Sequence, residues 1–274
     1  MEKVDIRKVF RDKSPAIARM LPGFIYRYLE RIVHQDYINW FLGKYGHLYG
    51  LDFADAVITE FQVNVELRGE ENLPETGRFI FAGNHPLGGF DGLMLIHYVS
   101  KKYSKAIFLV NDILMNIRNL EELFVPINKH GSQSRENFLR IEKMYRSDIQ
   151  ILTFPSGFVS RRIDGIIQDL EWQKNFIVKS LQYQRDVIPV HTSGRNTRFF
   201  YNLANFRKFL GIRWNLEMLY LVDETYRHRN KTLTITFGRP LPYTTFDKSR
   251  TNKEWAHYVR RLVYSLPSGN AGAS

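Results

Sequence analysis

From residue 62 onward the sequence alternates short apolar runs with segments of helical periodicity. This alternation restricts the fold more than any other feature. Val63, Val65 and Leu67 alternate with polar residues, as in a half-buried strand. Residues 78–83 (RFIFAG), 105–110 (KAIFLV), 149–154 (IQILTF) and 187–190 (VIPV) are compact buried strands, 123–127 (LFVPI) is a shorter one, and 232–237 (TLTITF) alternates. Residues 92–103, 134–146, 172–184 and 253–266 carry helical spacing between them. The pattern predicts an α/β fold, a mixed and largely buried sheet flanked by helices. A chain of 274 residues is long enough to bury such a core.

The first fifty residues read differently. Ile17, Leu21, Phe24, Ile25, Tyr28, Leu29 and Ile32 recur at helical spacing, broken at Pro22-Gly23. A second helical segment, 37–48, holds Trp40, Phe41, Tyr45 and Leu48, and Arg19, Arg27, Arg31 and Lys44 are interleaved with these stripes. The expected organisation is a helical, membrane-facing segment over 1–58, an α/β domain over 59–266 and a disordered tail over 267–274.

Charge and composition narrow the partners. Lys and Arg number 39 against 28 Asp and Glu, a formal charge of +11, which calls for an anionic partner. No apolar run approaches the roughly 20 residues of a spanning helix. The start MEKVDIRKVF lacks the apolar core of a signal peptide. A cytoplasmic protein, peripheral on the inner face of the cytoplasmic membrane, is expected. A second basic-aromatic segment, 195–214 (RNTRFFYNLANFRKFLGIRW), suits the same anionic interface. It contains no recognisable nucleic-acid module, so no nucleic acid is expected as partner. Without cysteine there is no thiol nucleophile, and the histidines show no metal-ligand spacing, so no metal site is expected.

The chemistry concentrates where strand 78–83 ends. Asn84-His85 follows it, then a Pro/Gly loop, then Asp91 at the threshold of a helix. Strand ends in α/β sheets are where sites are usually built. A histidine held by a carboxylate keeps one tautomer and can take a proton from a hydroxyl or amine. Gly88 and Gly89 let the backbone turn Asp91 back onto His85.

In this context the chain resembles the glycerolipid acyltransferase superfamily, which includes the lysophosphatidic-acid acyltransferases. The family's first motif is Asn-His, four residues, then Asp, often after a turn like Gly69-Glu70-Glu71-Asn72-Leu73-Pro74. Its second is similar to Phe124-Val125-Pro126-Ile127-Asn128-Lys129. Its third, Phe-Pro-Glu-Gly-Thr-Arg-Ser, is similar to Phe154-Pro155-Ser156-Gly157-Phe158-Val159-Ser160, and its fourth to Val187-Ile188-Pro189-Val190. The resemblance implies a glycerol-3-phosphate acyltransferase-like fold and a lipid acceptor. The donor would be the thioester of acyl carrier protein (ACP) or CoA, a co-substrate, with no cofactor. By the same resemblance His85 is the general base and Asp91 orients it. Asn84, Ser156, Gly157, Asn128, Lys129, Arg161 and Arg162 are the oxyanion- or acceptor-binding candidates, with backbone N–H groups near Gly157 as oxyanion donors.

The departures from the motifs carry information too. Five residues, not four, separate His85 from Asp91, and the extra one is expected to bulge at Gly88-Gly89. Ser156 replaces the family's Glu, Phe158-Val159 replace Thr-Arg, and Asn128-Lys129 stand where an Arg is usual. Losing that Arg removes a bidentate phosphate clamp. A less charged acceptor follows, such as the hydroxyl of a lyso-glycine or lyso-ornithine lipid. The alternative within enzymes is 1-acylglycerol-3-phosphate O-acyltransferase. The alternative outside enzymes is a non-catalytic membrane-surface or nucleic-acid-binding protein.

Overall fold

The computed structural model describes residues 3–110, 115, 117–127, 135–212 and 214–266. Among the described residues nine strands follow in chain order: β1 (Asn64–Arg68), β2 (Phe79–Gly83), β3 (Ala106–Val110), β4 (Phe124–Pro126), β5 (Gln150–Thr153), β6 (Arg161–Ile163), β7 (Ile166–Gln168), β8 (Asp186–Thr192) and β9 (Thr232–Phe237). Seven of them form one sheet in the order β1-β9-β8-β2-β5-β3-β4. Every pairing in it is parallel except β8 with β9. The mixed, buried sheet read from the sequence is therefore present. β6 and β7 form a separate antiparallel hairpin, which the sequence reading did not include. Its turn is Asp164-Gly165, both at positive φ, as a two-residue hairpin turn requires.

The helices are α1 (Ile6–Lys13), α2 (Pro15–Met20), α3 (Gly23–Ile32), α4 (Gln35–Tyr45), α5 (Gly50–Glu60), α6 (Phe90–Tyr103), α7 (Arg135–Arg146), α8 (Asn175–Tyr183), α9 (Arg198–Phe209), α10 (Leu221–Tyr226) and α11 (Asn252–Ser265). They cover both faces of the sheet. The alternation of side chains along β2 shows how. Phe79 and Phe81 enter one core with Phe53 and Ala54 of α5 and Met94 and Leu95 of α6. Ile80 and Ala82 enter the other with Ile141 of α7, Ile177 of α8 and Val259 of α11. A strand buried on both faces reads as a continuous apolar run because no side of it meets water. Each fully buried Ile or Phe contributes about 1.5–3 kcal/mol.

The N-terminal region is helical, with a break between α2 and α3 at Pro22. The boundary expected at residue 58 falls inside α5, whose Phe53, Ala54, Ala56 and Ile58 belong to the first core. The helical layer is thus continuous with the sheet. Asn119 Nδ2 ties the α4–α5 connection to the α/β part by donating to the Gly46 and Leu48 carbonyls at 3.1 and 2.6 Å. The tail over 267–274 lies outside the described residues. Among the described residues no helix is long and apolar enough to cross a membrane.

Candidate active site

β2 stops at Gly83, and Asn84 fixes where the chain goes next. Its side chain donates to the Thr192 carbonyl at 3.0 Å and accepts from the Thr192 N–H at 2.7 Å. Both groups of the amide are spent on the end of β8. Asn84 therefore anchors the strand end through its amide.

His85 follows, and Gly88 (φ 83°) and Gly89 (φ 147°) carry the loop into α6. A Cβ on Gly88 would lie 2.6 Å from Leu221 Cδ2 and 2.9 Å from Val159 Cγ2, so only glycine fits. Asp91 sits in the first turn of α6, fully buried. Its Oδ2 accepts from His85 Nδ1 at 3.0 Å and Leu87 N–H at 2.9 Å, and its Oδ1 accepts from Gly89 and Gly92 N–H at 3.0 and 2.9 Å. Burial pushes this carboxyl up. The charge and hydrogen bond of His85, with the Leu87 and Gly89 N–H groups, outweigh that and hold it below its ordinary value. It stays an anion next to the imidazole.

The imidazole stacks on Phe154, with centroids 4.2 Å apart and planes at 22°. Phe154 is itself wedged against Phe108, Gly83 and Gly92. The His85 side chain keeps 17% exposure, and its Nε2 has no hydrogen-bond partner among the described residues. The ring thus has one nitrogen tied to a buried carboxylate and the other available to a substrate hydroxyl.

A second buried carboxylate, Asp169, was not found from the sequence. Its Oδ1 accepts from the His85 N–H at 3.2 Å and from Ser160 Oγ at 2.6 Å, and its Oδ2 accepts from Trp172 Nε1 at 2.9 Å. The Asp169 N–H donates to Tyr264 Oη at 2.8 Å, and Arg260 donates to its carbonyl at 2.8 Å. Ser160 N–H donates to the His85 carbonyl at 2.8 Å. The backbone of His85 is therefore held on both sides, by Asp169 and by the end of the third motif. Burial raises the Asp169 carboxyl above its usual value against the hydrogen bonds it accepts. The one sequence signal was an acidic residue three positions before a tryptophan, Asp169 to Trp172. Its partners come from segments up to 95 residues away, which spacing does not reveal.

The remaining predicted residues are placed as follows. Ser156 is buried and donates to the Phe158 carbonyl at 2.8 Å, and the Gly157 N–H (φ 62°) donates to the Phe154 carbonyl at 2.8 Å. Both shape the third-motif turn, and that Gly157 N–H is engaged rather than facing an oxyanion. Arg161 was expected to meet the acceptor. It instead donates to Glu217 at 2.9 Å, lies 5.5 Å from the Phe200 centroid and shares Glu217 with Arg207. A buried carboxylate has claimed its charge. Arg162 donates to Asn202 of α9. Asn128 and Lys129 lie outside the described residues. Asp223 and Glu224 are built into the fold nearby. Glu224 accepts from Thr197 N–H at 2.7 Å, and Asp223 pairs with His34 at 2.8 Å and Arg227 at 2.7 Å. Among the described residues no cluster suited to a metal ion occurs.

Comparison with known proteins agrees with the motifs. The acyltransferase family profile matches residues 8–272. The chain is 49% identical over 264 residues to a lyso-glycine lipid O-acyltransferase of Bacteroides thetaiotaomicron, covering 96% of this chain and 97% of that one. It is 47% identical to a lyso-glycine lipid O-acyltransferase of Phocaeicola vulgatus, covering 96% and 95%. Among solved structures it is similar to the crystal structure of the 1-acyl-sn-glycerophosphate (LPA) acyltransferase PlsC from Thermotoga maritima. That match has a TM-score of 0.47 and 18% identity, and covers 92% of this chain and 95% of that one. With its family profile spanning nearly the whole chain and near-half identity to two full-length relatives, this protein belongs to the acyltransferase family and is an acyltransferase.

Proposed function

We propose that the protein transfers a fatty acyl group from an acyl-ACP or acyl-CoA thioester to the hydroxyl of a lyso-glycine lipid at the inner face of the cytoplasmic membrane. The carrying observation is the His85–Asp91 pair with an available Nε2, in a chain 49% identical to a lyso-glycine lipid O-acyltransferase. His85 Nε2 takes the hydroxyl proton as the oxygen attacks the thioester carbonyl. The imidazolium that forms is stabilised by the Asp91 anion 3.0 Å from Nδ1. That attack forms the C–O ester bond, and the tetrahedral intermediate then collapses, re-forming the C=O double bond and breaking the C–S bond. The departing thiolate takes the proton from Nε2. No covalent acyl-enzyme forms.

The acceptor choice has its own support. Arg161 is committed to Glu217, so it is not a phosphate clamp, and the third motif has apolar Phe158 and Val159 where the family's Thr-Arg would put a charge beside glycerol phosphate. The test is incubation of the purified protein with acyl-ACP or acyl-CoA and, separately, lyso-glycine lipid, lyso-ornithine lipid and lysophosphatidic acid. Lyso-glycine lipid is expected to turn over fastest, and His85→Ala to lose nearly all activity while still binding liposomes. Efficient turnover of lysophosphatidic acid alone would sink the aminolipid assignment. Activity surviving His85→Ala would sink the general-base assignment.

A further inference from the structure

The two basic-aromatic segments that the sequence set far apart meet in space. Tyr28 of α3 hydrogen-bonds Tyr220, and Phe199 of α9 packs edge-on against the same Tyr220 at 4.9 Å. Between them opens a cleft of about 810 Å³, walled by α3, His34, the start of α9 and residues 220–230. Its mouth is apolar, with Tyr28 and Phe199 of its lining both exposed.

Its interior is basic. Arg31, Arg227 and Arg229 line it against one carboxylate, Asp223. That carboxylate is already shared by His34 and Arg227. Arg229 has no carboxylate partner among the described residues. Its guanidinium lies 5.0, 5.1 and 5.9 Å from the ring centres of Tyr37, Tyr226 and Phe61, and donates to Tyr226 Oη at 3.0 Å. Arg31 is exposed and has no ion-pair partner among the described residues. A guanidinium fixed on aromatic faces is preorganised for a planar or tetrahedral anion. The cleft also touches the catalytic elements. Phe61, under Arg229, stacks on Phe90 at the start of α6, one residue before Asp91. Leu221 packs on the Gly88 turn.

We infer that this cleft is a binding site for the phosphate headgroup of one anionic bilayer phospholipid, held by Arg31 and Arg229 while the aromatic mouth enters the interface. Charge complementarity selects an anion, and the apolar mouth selects one already embedded in a bilayer over a soluble phosphate. The site goes beyond general attraction of a basic protein to a membrane, because it names one cleft and two side chains. It rests on the membrane-surface reading above, and its test reads vesicle binding, with acceptor KM separating a lipid site from an acceptor site.

The test is co-sedimentation with vesicles of phosphatidylcholine alone and with phosphatidylglycerol added. The wild type, Arg31→Gln, and the pair Arg31→Gln with Arg229→Gln are compared. A charge-matched control pair, Lys101→Gln with Lys253→Gln, lies on other faces. At about fivefold per basic residue near an anionic surface, the single variant should lose about 5-fold and the double about 30-fold in phosphatidylglycerol-dependent binding. The control pair should stay within about 2-fold. Urea unfolding monitors the double variant, and Arg31→Gln, on an exposed position, carries the test if the double fails to fold. Equal losses in the cleft and control variants, or none in Arg31→Gln, would overturn the site. Wild type failing to bind phosphatidylglycerol vesicles at all would overturn the membrane reading instead. A raised acceptor KM in phospholipid-free micelles with vesicle binding intact would hand the cleft to the acceptor's carboxylate.

Discussion

Replacing Asp91 by asparagine tests the catalytic geometry sharply, because the four donors around the carboxylate leave the amide no comfortable orientation. Oδ2 accepts from His85 Nδ1 and Leu87 N–H, and Oδ1 from Gly89 and Gly92 N–H. An amide nitrogen in the Oδ1 place strands two N–H groups, at about 1–3 kcal/mol each. In the Oδ2 place it strands the Leu87 N–H alone, at about 1–3 kcal/mol. The second arrangement is the cheaper. It also puts a donor against His85 Nδ1, so the ring moves its proton to Nε2 and cannot accept one from the substrate. Loss of the correct tautomer behind a catalytic carboxylate costs about 10⁴-fold in kcat. Asp91→Asn should therefore fold, lose about 1–3 kcal/mol in urea unfolding, and lose about 10⁴-fold in thiol release from the acyl thioester. A variant retaining a tenth of wild-type turnover, or unfolding at the wild-type urea midpoint, would refute this reasoning.

Two further outcomes follow from buried groups. Asp169→Asn keeps an acceptor for His85 N–H and Ser160 but turns an amide nitrogen onto Trp172 Nε1. It should lower kcat by up to about 100-fold, the effect of displacing a catalytic group by about 1 Å, with little change in KM. A lowered melting temperature with unchanged kcat would make Asp169 purely structural. His191 and His228 are both pushed down to about 4 by burial, and His228, at 2% exposure, has no hydrogen-bond partner on either ring nitrogen among the described residues. The folded state keeps both neutral while the unfolded chain takes up protons below about pH 6.5. Stability is thus complete above that pH and lost as pH falls toward 4, at about 1.4 kcal/mol per unit per histidine. Urea midpoints at pH 7.5, 6 and 5 that do not move would contradict the burial of both rings.

Most of the sheet was legible because strands such as Phe79–Gly83 are buried on both faces and bounded by turns. The His85–Asp91 pair was legible because both partners lie within one strand–loop–helix unit. What escaped was set by distance. The carboxylate of Asp169 collects the His85 N–H from 84 residues before it, and its backbone N–H reaches Tyr264, 95 residues after. The antiparallel insertion of β9 beside β8 likewise has no local signature. The β6–β7 hairpin did have one, the Asp164-Gly165 turn, but its arginines drew attention as anion ligands. Arg161 meets an anion after all, the protein's own Glu217, supplied by a turn 56 residues later. A charge in a motif shows that a partner exists, not whether the partner is substrate or protein.

The order of the sheet also sets the order in which a growing chain can become an enzyme. Among the described residues β1 has β9 as its one strand neighbour, where Asn64 and Thr232 stand 168 residues apart, and Asp169 is completed by Tyr264 of α11. At about 5–20 residues per second, a ribosome needs roughly ten to thirty seconds to span that gap. For that time α3, half of the aromatic mouth, is already made while β1 has no neighbour, and Asp169 waits longer still for Tyr264. Synthesis delivers the His85–Asp91 pair early and the strand and helix that complete its surroundings last.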